Sequence, residues 1–207
     1  QRYLHRVRAL AQKHPDWTFC SYTAAVIYGL SVSHANLTHI HIAAMPAQST
    51  TPGSQVIRHR YARQTRATQM DIAVTDIDQT ITDCLVDASF VEGLIIADSA
   101  LHEQLLSKEH LVETVDKLGL NRRGVVTARR VARCADGLSE SGGESKARAL
   151  MIERGWQTPE LQVELFDPVE PGRPYRVDYL WRVGDRLIIG EFDGFVKSEK
   201  AAEEGKL

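Results

Sequence analysis

The sequence predicts an α/β protein made of two modules, on three observations. Short runs that alternate or are rich in β-branched and aromatic residues stand at 38–42, 56–59, 72–74, 161–166, 175–181 and 187–193. Helical spacing fills much of the chain between them, and the small polar stretch from Asp136 to Gly143 reads as a linker. The two modules are then 1–135, helical with a small sheet, and 139–207, a helix followed by strands.

Each element has a local reason. Tyr3, Leu4, Val7, Leu10 and Ala11 recur at helical spacing until Pro15. Ser21 is the expected N-cap of a short helix, Tyr22 to Ile27, stopped by Gly29. Thr38 to Ile42 alternates between Asn36 and Pro46 and reads as a strand. Val56 to His59 and Ile72 to Val74 are two more strands. From Asp76 the period turns helical, with helices near 77–88, 91–103, 108–118 and 123–135; Ser107 caps the third and Gly119 stops it. A helix at about 143–154 ends at Gly155, and three strands follow.

The 207 residues are 43% hydrophobic and 25% charged, an ordinary globular composition with room for one large or two small domains. No apolar run reaches the length of a membrane span, and no signal-peptide pattern opens the chain. Cys20, Cys84 and Cys134 form no CxxC pair and read as reduced thiols of a cytoplasmic protein without a membrane partner. Gln1 lies inside a helical pattern and 200–207 run polar, so both ends read as trimmed. The net charge of −2 decides nothing about nucleic acid, which leaves that question to local charge.

The densest local chemistry lies in the last two strands. Gly184-Asp185 is a two-residue hairpin signal that pairs Val183 with Arg186. Counting outward, Asp178 falls opposite Glu191, on one face and with Cβ atoms about 5 Å apart. Facing carboxylates repel unless something neutralises them, and a divalent cation with hard oxygen ligands does so. Asp193, two residues past Glu191, shares that face. Three other readings stay open. Arg176 falls opposite Asp193 and can pair with it, one proton shared by Asp178 and Glu191 relieves the repulsion, and a three-residue loop moves the two acids to opposite faces. Glu144 joins as a further acid or as the last residue of a capping box, Ser141-Gly142-Gly143-Glu144. Lys197 is a candidate partner for a transition-state phosphate, or a solvated lysine.

These residues carry a resemblance. Gly143-Glu144-Ser145, Pro159-Glu160-Leu161-Gln162, Arg176-Val177-Asp178 and Gly190-Glu191-Phe192-Asp193-Gly194 with Lys197 make 139–200 resemble the module of very-short-patch-repair endonucleases, within the PD-(D/E)xK superfamily. The resemblance implies a restriction-endonuclease-like α/β module with Glu144, Asp178, Glu191 and Asp193 around Mg²⁺ or Mn²⁺. The family's acidic-x-Lys signature reads Glu191-Phe192-Asp193 here, so Lys197 stands in for its lysine. Ser21-Tyr22-Thr23-Ala24-Ala25 leading to Gly29-Leu30, the strand with His39 and His41, and Thr80-Ile81-Thr82-Asp83-Cys84 make 1–135 resemble actinobacterial relatives of AbiEi-type antitoxins. Gln79 stands where that family shows an arginine, and its usual winged-helix segment is absent. This second resemblance implies a defence or toxin–antitoxin context, with DNA and a cognate toxin protein as partners.

Three further groups bear on the reading. Arg122, Arg123, Arg129, Arg130 and Arg133 occur with no intervening acid, a stripe suited to DNA phosphates or a solvated face paired with Glu109, Glu113 or Asp116. His34, His39, His41 and His59 read as a polar outer strand face, with zinc the less favoured alternative. Asp76, Asp78, Asp83 and Asp87 read as a helix cap plus an exposed acidic face. Two functions follow as expectations. One is a Mg²⁺-dependent endonuclease using Asp178, Glu191 and Asp193 as ligands, Glu144 as ligand or base, and Lys197 on the phosphate. The other is a non-catalytic AbiEi-like antitoxin or regulator with a degenerate nuclease fold.

Overall fold

The computed structural model describes residues 2–44, 55–61, 65–166, 172 and 174–193. It is mixed α/β, with seven α-helices and two sheets among those residues. Internal contacts divide the chain into Gln1–Gly137 and Leu138–Leu207. Among the described residues, no helix is long and apolar enough to cross a membrane.

The first unit opens with α1 (Arg2–Lys13), whose apolar side packs Val7 into a core of Phe19, Ala24, Ile27, Ile40, Ile42, Ile72 and Val74. Five strands build its sheet: β1 (Thr18–Phe19), β2 (Ile40–Ala44), β3 (Val56–Arg60), β4 (Ala67–Gln69) and β5 (Ile72–Val74), in the order β3-β2-β1-β5-β4. β3 lies parallel to β2 at one edge, and β1 is antiparallel to β2 but parallel to β5. β1, two residues long, is too short to leave a periodic signal in the sequence, and β4 (Ala67-Thr68-Gln69) lacks the apolar β-branched residues that mark β5.

Helix α2 (Ser21–Ile27) is capped by Cys20 rather than by the expected Ser21. Cys20 donates its N–H to the His41 carbonyl and its own carbonyl accepts the Ala24 N–H at 3.2 Å, so the helix starts one residue earlier than expected, at Ser21, whose φ is 48°. Four helices follow: α3 (Ile77–Asp87), α4 (Phe90–His102), α5 (Lys108–Leu118) and α6 (Val125–Cys134). Their caps follow side-chain chemistry, with Asp76, Ser89 and Ser107 each accepting the N–H three residues on. α6 begins later than the arginine pattern suggests. Gly124, in the left-handed region at φ 85°, lies so close to α3 that an added Cβ would stand 1.9 Å from the Val86 carbonyl oxygen. That contact ends the preceding turn and leaves Arg122 and Arg123 outside the helix.

The second unit has α7 (Gly142–Glu153) and an antiparallel sheet of β6 (Glu160–Leu165), β7 (Tyr175–Val183) and β8 (Arg186–Gly190), in the order β6-β7-β8. Helix α7 therefore starts inside the stretch read as a linker. Ala149, Leu161, Val177, Tyr179 and Leu180 are buried, whereas Leu187, Ile188 and Ile189 on the edge strand β8 are about half exposed.

Candidate functional site

The hairpin has the register that a two-residue turn dictates. Val183 pairs with Arg186, Arg182 with Leu187, Trp181 with Ile188, Leu180 with Ile189 and Tyr179 with Gly190. The next step outward sets Asp178 against Glu191, one residue past the end of β8, which rules out the slipped register. The two carboxyls interact directly: desolvation, followed by the Asp178 charge and a hydrogen bond with Asp178, raises the Glu191 pKa, with Asp193 adding a smaller push the same way. A like-charged pair in this state favours either a shared proton or a cation.

Asp178 is held from two sides. Its Oδ2 accepts the Phe192 N–H at 2.7 Å, which folds the chain after β8 back over the site. Its Oδ1 accepts from the Gln162 side-chain amide at 3.3 Å, and the same nitrogen donates to Glu144 Oε2 at 3.2 Å. Gln162 thus bridges the acid on α7 and the acid on β7. It does so from a strained backbone, because it lies in the middle of β6 with φ 52°. The ladder skips it, with Leu161 paired to Tyr179 and Val163 to Val177 on either side. Gln162 was the residue with no role in the sequence reading, although the Pro159-to-Gln162 run that carries the resemblance contains it.

Glu144, 7% exposed, forms the capping arrangement with Ser141 and also accepts a bond from Gln162. Ser141 caps α7 by accepting the Glu144 N–H at 3.2 Å, and the Glu144 carboxylate accepts from the Ser141 hydroxyl at 2.8 Å and the Glu140 N–H at 2.9 Å. The box closes one residue upstream of the usual position, which leaves Oε2 turned to Gln162. Tyr179 fixes the backbone there through its hydroxyl bond to the Glu144 carbonyl, 2.9 Å. Gly143 is required by contact, since a Cβ at that position would meet the Phe192 ring at 2.3 Å.

The alternative pairing of Arg176 with Asp193 is not among the ion pairs of the described residues. Arg176 grips Glu140 at 2.8 and 2.9 Å instead, because the chain leaves the β8 line after Gly190 and Asp193 is no longer opposite it. Lys197 lies outside the described residues. Among the described residues, no three His, Cys, Asp or Glu side chains converge closely enough to hold a metal ion as they stand. The arrangement is a facing pair, Asp178 and Glu191, with Glu144 linked to it through Gln162 and Asp193 nearby.

In the first unit, the arginines are spread over different partners. Arg122 pairs with Asp83 at 2.6 Å, Arg129 with Asp116 at 2.6 Å, and the Arg130 guanidinium lies 4.2 Å over the Phe90 ring. Asp83 corrects the exposed acidic face: it is 1% exposed and accepts from Tyr61, Gln79 and Arg122 at 2.5, 2.9 and 2.6 Å. Asp76 is the α3 cap, and Asp78 meets His110 at 2.8 Å. The outer-face reading of the histidines is also corrected. His41 is 6% exposed, bonds His59 ring to ring at 2.8 Å and meets Tyr22 edge-on, so β2 turns that side inward. Burial, then His59, pushes the His41 pKa down to about 4.

No protein-family model matches the chain. Two uncharacterized proteins of Mycobacterium tuberculosis, one from strain CDC 1551 and one from strain H37Rv, are each 27% identical to it over 174 residues. The match covers 84% of this chain and 61% of each relative, so the chain spans about three fifths of the length of the relatives it matches.

Proposed function

We propose that this protein is a metal-dependent DNA endonuclease of a bacterial defence or toxin–antitoxin context, acting in the cytoplasm. The observation that carries the reading is the Asp178–Glu191 pair. Two carboxylates face each other across a hairpin, and desolvation together with the Asp178 charge raises the Glu191 pKa, a clash that a divalent cation would relieve. Hard oxygen donors on a β-hairpin suit Mg²⁺ or Mn²⁺, with Asp178 and Glu191 as first ligands and Asp193 completing the set. A cation held by these residues would supply Lewis acidity to activate water and offset charge on a scissile phosphate. The Phe192 N–H and the Gln162 amide fix the Asp178 carboxylate, and Gln162 holds Glu144 alongside as the candidate base. Lys197 is the proposed phosphate partner, and Arg122, Arg123, Arg129, Arg130 and Arg133 the proposed contacts to DNA. A cognate toxin is the proposed protein partner.

A second reading, a non-catalytic AbiEi-like antitoxin or regulator, is favoured by one observation: the acids converge as a pair rather than as a three-ligand group. Plasmid cleavage with Mg²⁺, Mn²⁺ or EDTA separates the two. Nicking or linearisation that needs the metal and is lost in Asp178→Asn supports the endonuclease. No cleavage with either ion, under conditions where the protein binds the plasmid, leaves the regulator.

A further inference from the structure

The charge of this chain is unevenly spread. Residues 1–70 hold eight Lys and Arg but a single acid, Asp16, whereas the remaining 137 residues hold 17 basic and 26 acidic side chains. Seven net positive charges are thus confined to one third of a chain whose total is −2. Such asymmetry points to a polyanionic partner.

The fold gathers five of these eight cations at one edge of the first unit. On α1, Arg2, Arg6 and Lys13 are spaced so that they share one side of the helix. Arg6 donates to the Gln55 side chain at 2.6 Å, just before β3, which turns that side of the helix toward the β3 edge. At the other end of α1, His14 stacks on Trp17 at 4.1 Å and the Arg58 guanidinium lies 5.5 Å over the same ring. Along β3, Val56, Arg58 and Arg60 point to the α1 side, while His59 and the following Tyr61 turn the other way to His41 and Asp83. Because β3 is the outermost strand, the band is open to solvent. Arg2, Lys13 and Arg60 are exposed, and among the described residues none of Arg2, Lys13, Arg58 and Arg60 is in an ion pair.

We propose that Arg2, Arg6, Lys13, Arg58 and Arg60 form a docking surface for the phosphate backbone of duplex DNA, distinct from the α6 arginines and independent of any metal chemistry. The helical part of the band is about 16 Å long, a length over which a duplex presents about ten phosphate charges. Guanidinium forks match phosphate oxygens, and four of the five cations are arginines. A membrane or a protein partner fits less well. Among the described residues, the large exposed apolar side chains of the first unit are Met70, Leu120 and Val126, none of them in the band. Single strands fit less well too, because Trp17, the aromatic group at the band, is already covered by His14 and Arg58.

The test is the salt dependence of binding to a fluorescent DNA duplex in EDTA, where cleavage plays no part. The full chain should bind, and the triple variant Arg2→Gln, Lys13→Gln, Arg60→Gln should flatten the slope of log K against log salt by about 2.7, at about 0.9 per lost phosphate contact. Thermal melting of the variant checks its fold. Arg60→Glu alone, at the sheet edge, serves if the triple variant does not fold, and should flatten the slope by about 0.9 or more. An unchanged slope overturns the proposal, as does a wild-type chain that does not bind the duplex. Binding of phosphatidylserine vesicles in place of duplex, lost in the triple variant, overturns it in favour of a membrane surface. None of these results depends on whether Asp178 and Glu191 support cleavage.

Discussion

Asp178→Asn is the sharpest perturbation of the carboxylate pair, because its two consequences differ in sign. The amide keeps the shape of the side chain, and its oxygen can still accept the 2.7 Å bond from Phe192 N–H. Its NH2 group then faces the Gln162 amide nitrogen, donor against donor, so the weaker 3.3 Å bond is lost at a cost of about 1 kcal/mol. Repulsion from Glu191 also disappears, a gain of about 0.5 kcal/mol for facing like charges on a sheet. Without metal the two effects nearly cancel, and the mutant should melt within a few degrees of wild type. With Mg²⁺ at a hundredfold excess over its dissociation constant, wild type gains about 2.7 kcal/mol. For a unit of this size that is a rise on the order of 10 °C. The mutant should show little of it. The assay is a set of four melts, both proteins in EDTA and in Mg²⁺. An equal rise in both proteins refutes the cation site at Asp178. A loss above about 3 kcal/mol in EDTA instead makes Asp178 a structural carboxylate.

Three other outcomes are expected. Replacing Arg123 and Arg133 with Ala should lower the salt slope of DNA binding by about 1.8, equally for all duplex sequences; an unchanged slope returns both to a solvated face. Arg122→Ala leaves the buried Asp83 carboxylate with Tyr61 and Gln79 but no cation, and should cost about 3 kcal/mol in denaturant titration; a loss below about 0.5 kcal/mol means the pair is not held as an ion pair. His41 should make stability depend on acid. Neutral in the fold with its pKa down to about 4, it binds a proton more readily once unfolded, where its pKa is about 6.5. Stability is therefore full above about pH 6.5 and falls by about 3 kcal/mol as pH drops to 4, with His59 shifted in the same direction. Denaturation midpoints of wild type and His41→Gln across that range test it, and parallel curves refute it.

The hairpin was legible because its register follows from a two-residue turn, a purely local rule. The caps at Asp76, Ser107 and Ser141 were legible for the same reason. What was not legible depends on contacts between distant segments. Asp83 looks like any helix-surface acid until Tyr61, from the end of β3, and Arg122, from the turn before α6, close over it. His41 alternates as an outer-face residue would, but alternation says only that two faces differ. The contacts of His41 with Tyr22 and His59 decide which one is inside. β1 is shorter than any periodicity can register, and β4 carries no apolar β-branched residue.

Gln162 sets backbone strain against a side-chain bridge at a single position. An unstrained strand at that point would pair Gln162 with Asp178 in the ladder and gain on the order of 1 kcal/mol by leaving the left-handed region. Selection for folding alone would therefore favour glycine there, which adopts that backbone freely, or a residue that restores the ladder. Either change removes the amide that ties the α7 acid to the β7 acid. The structure thus holds Glu144 beside Asp178 at the expense of a regular ladder in β6.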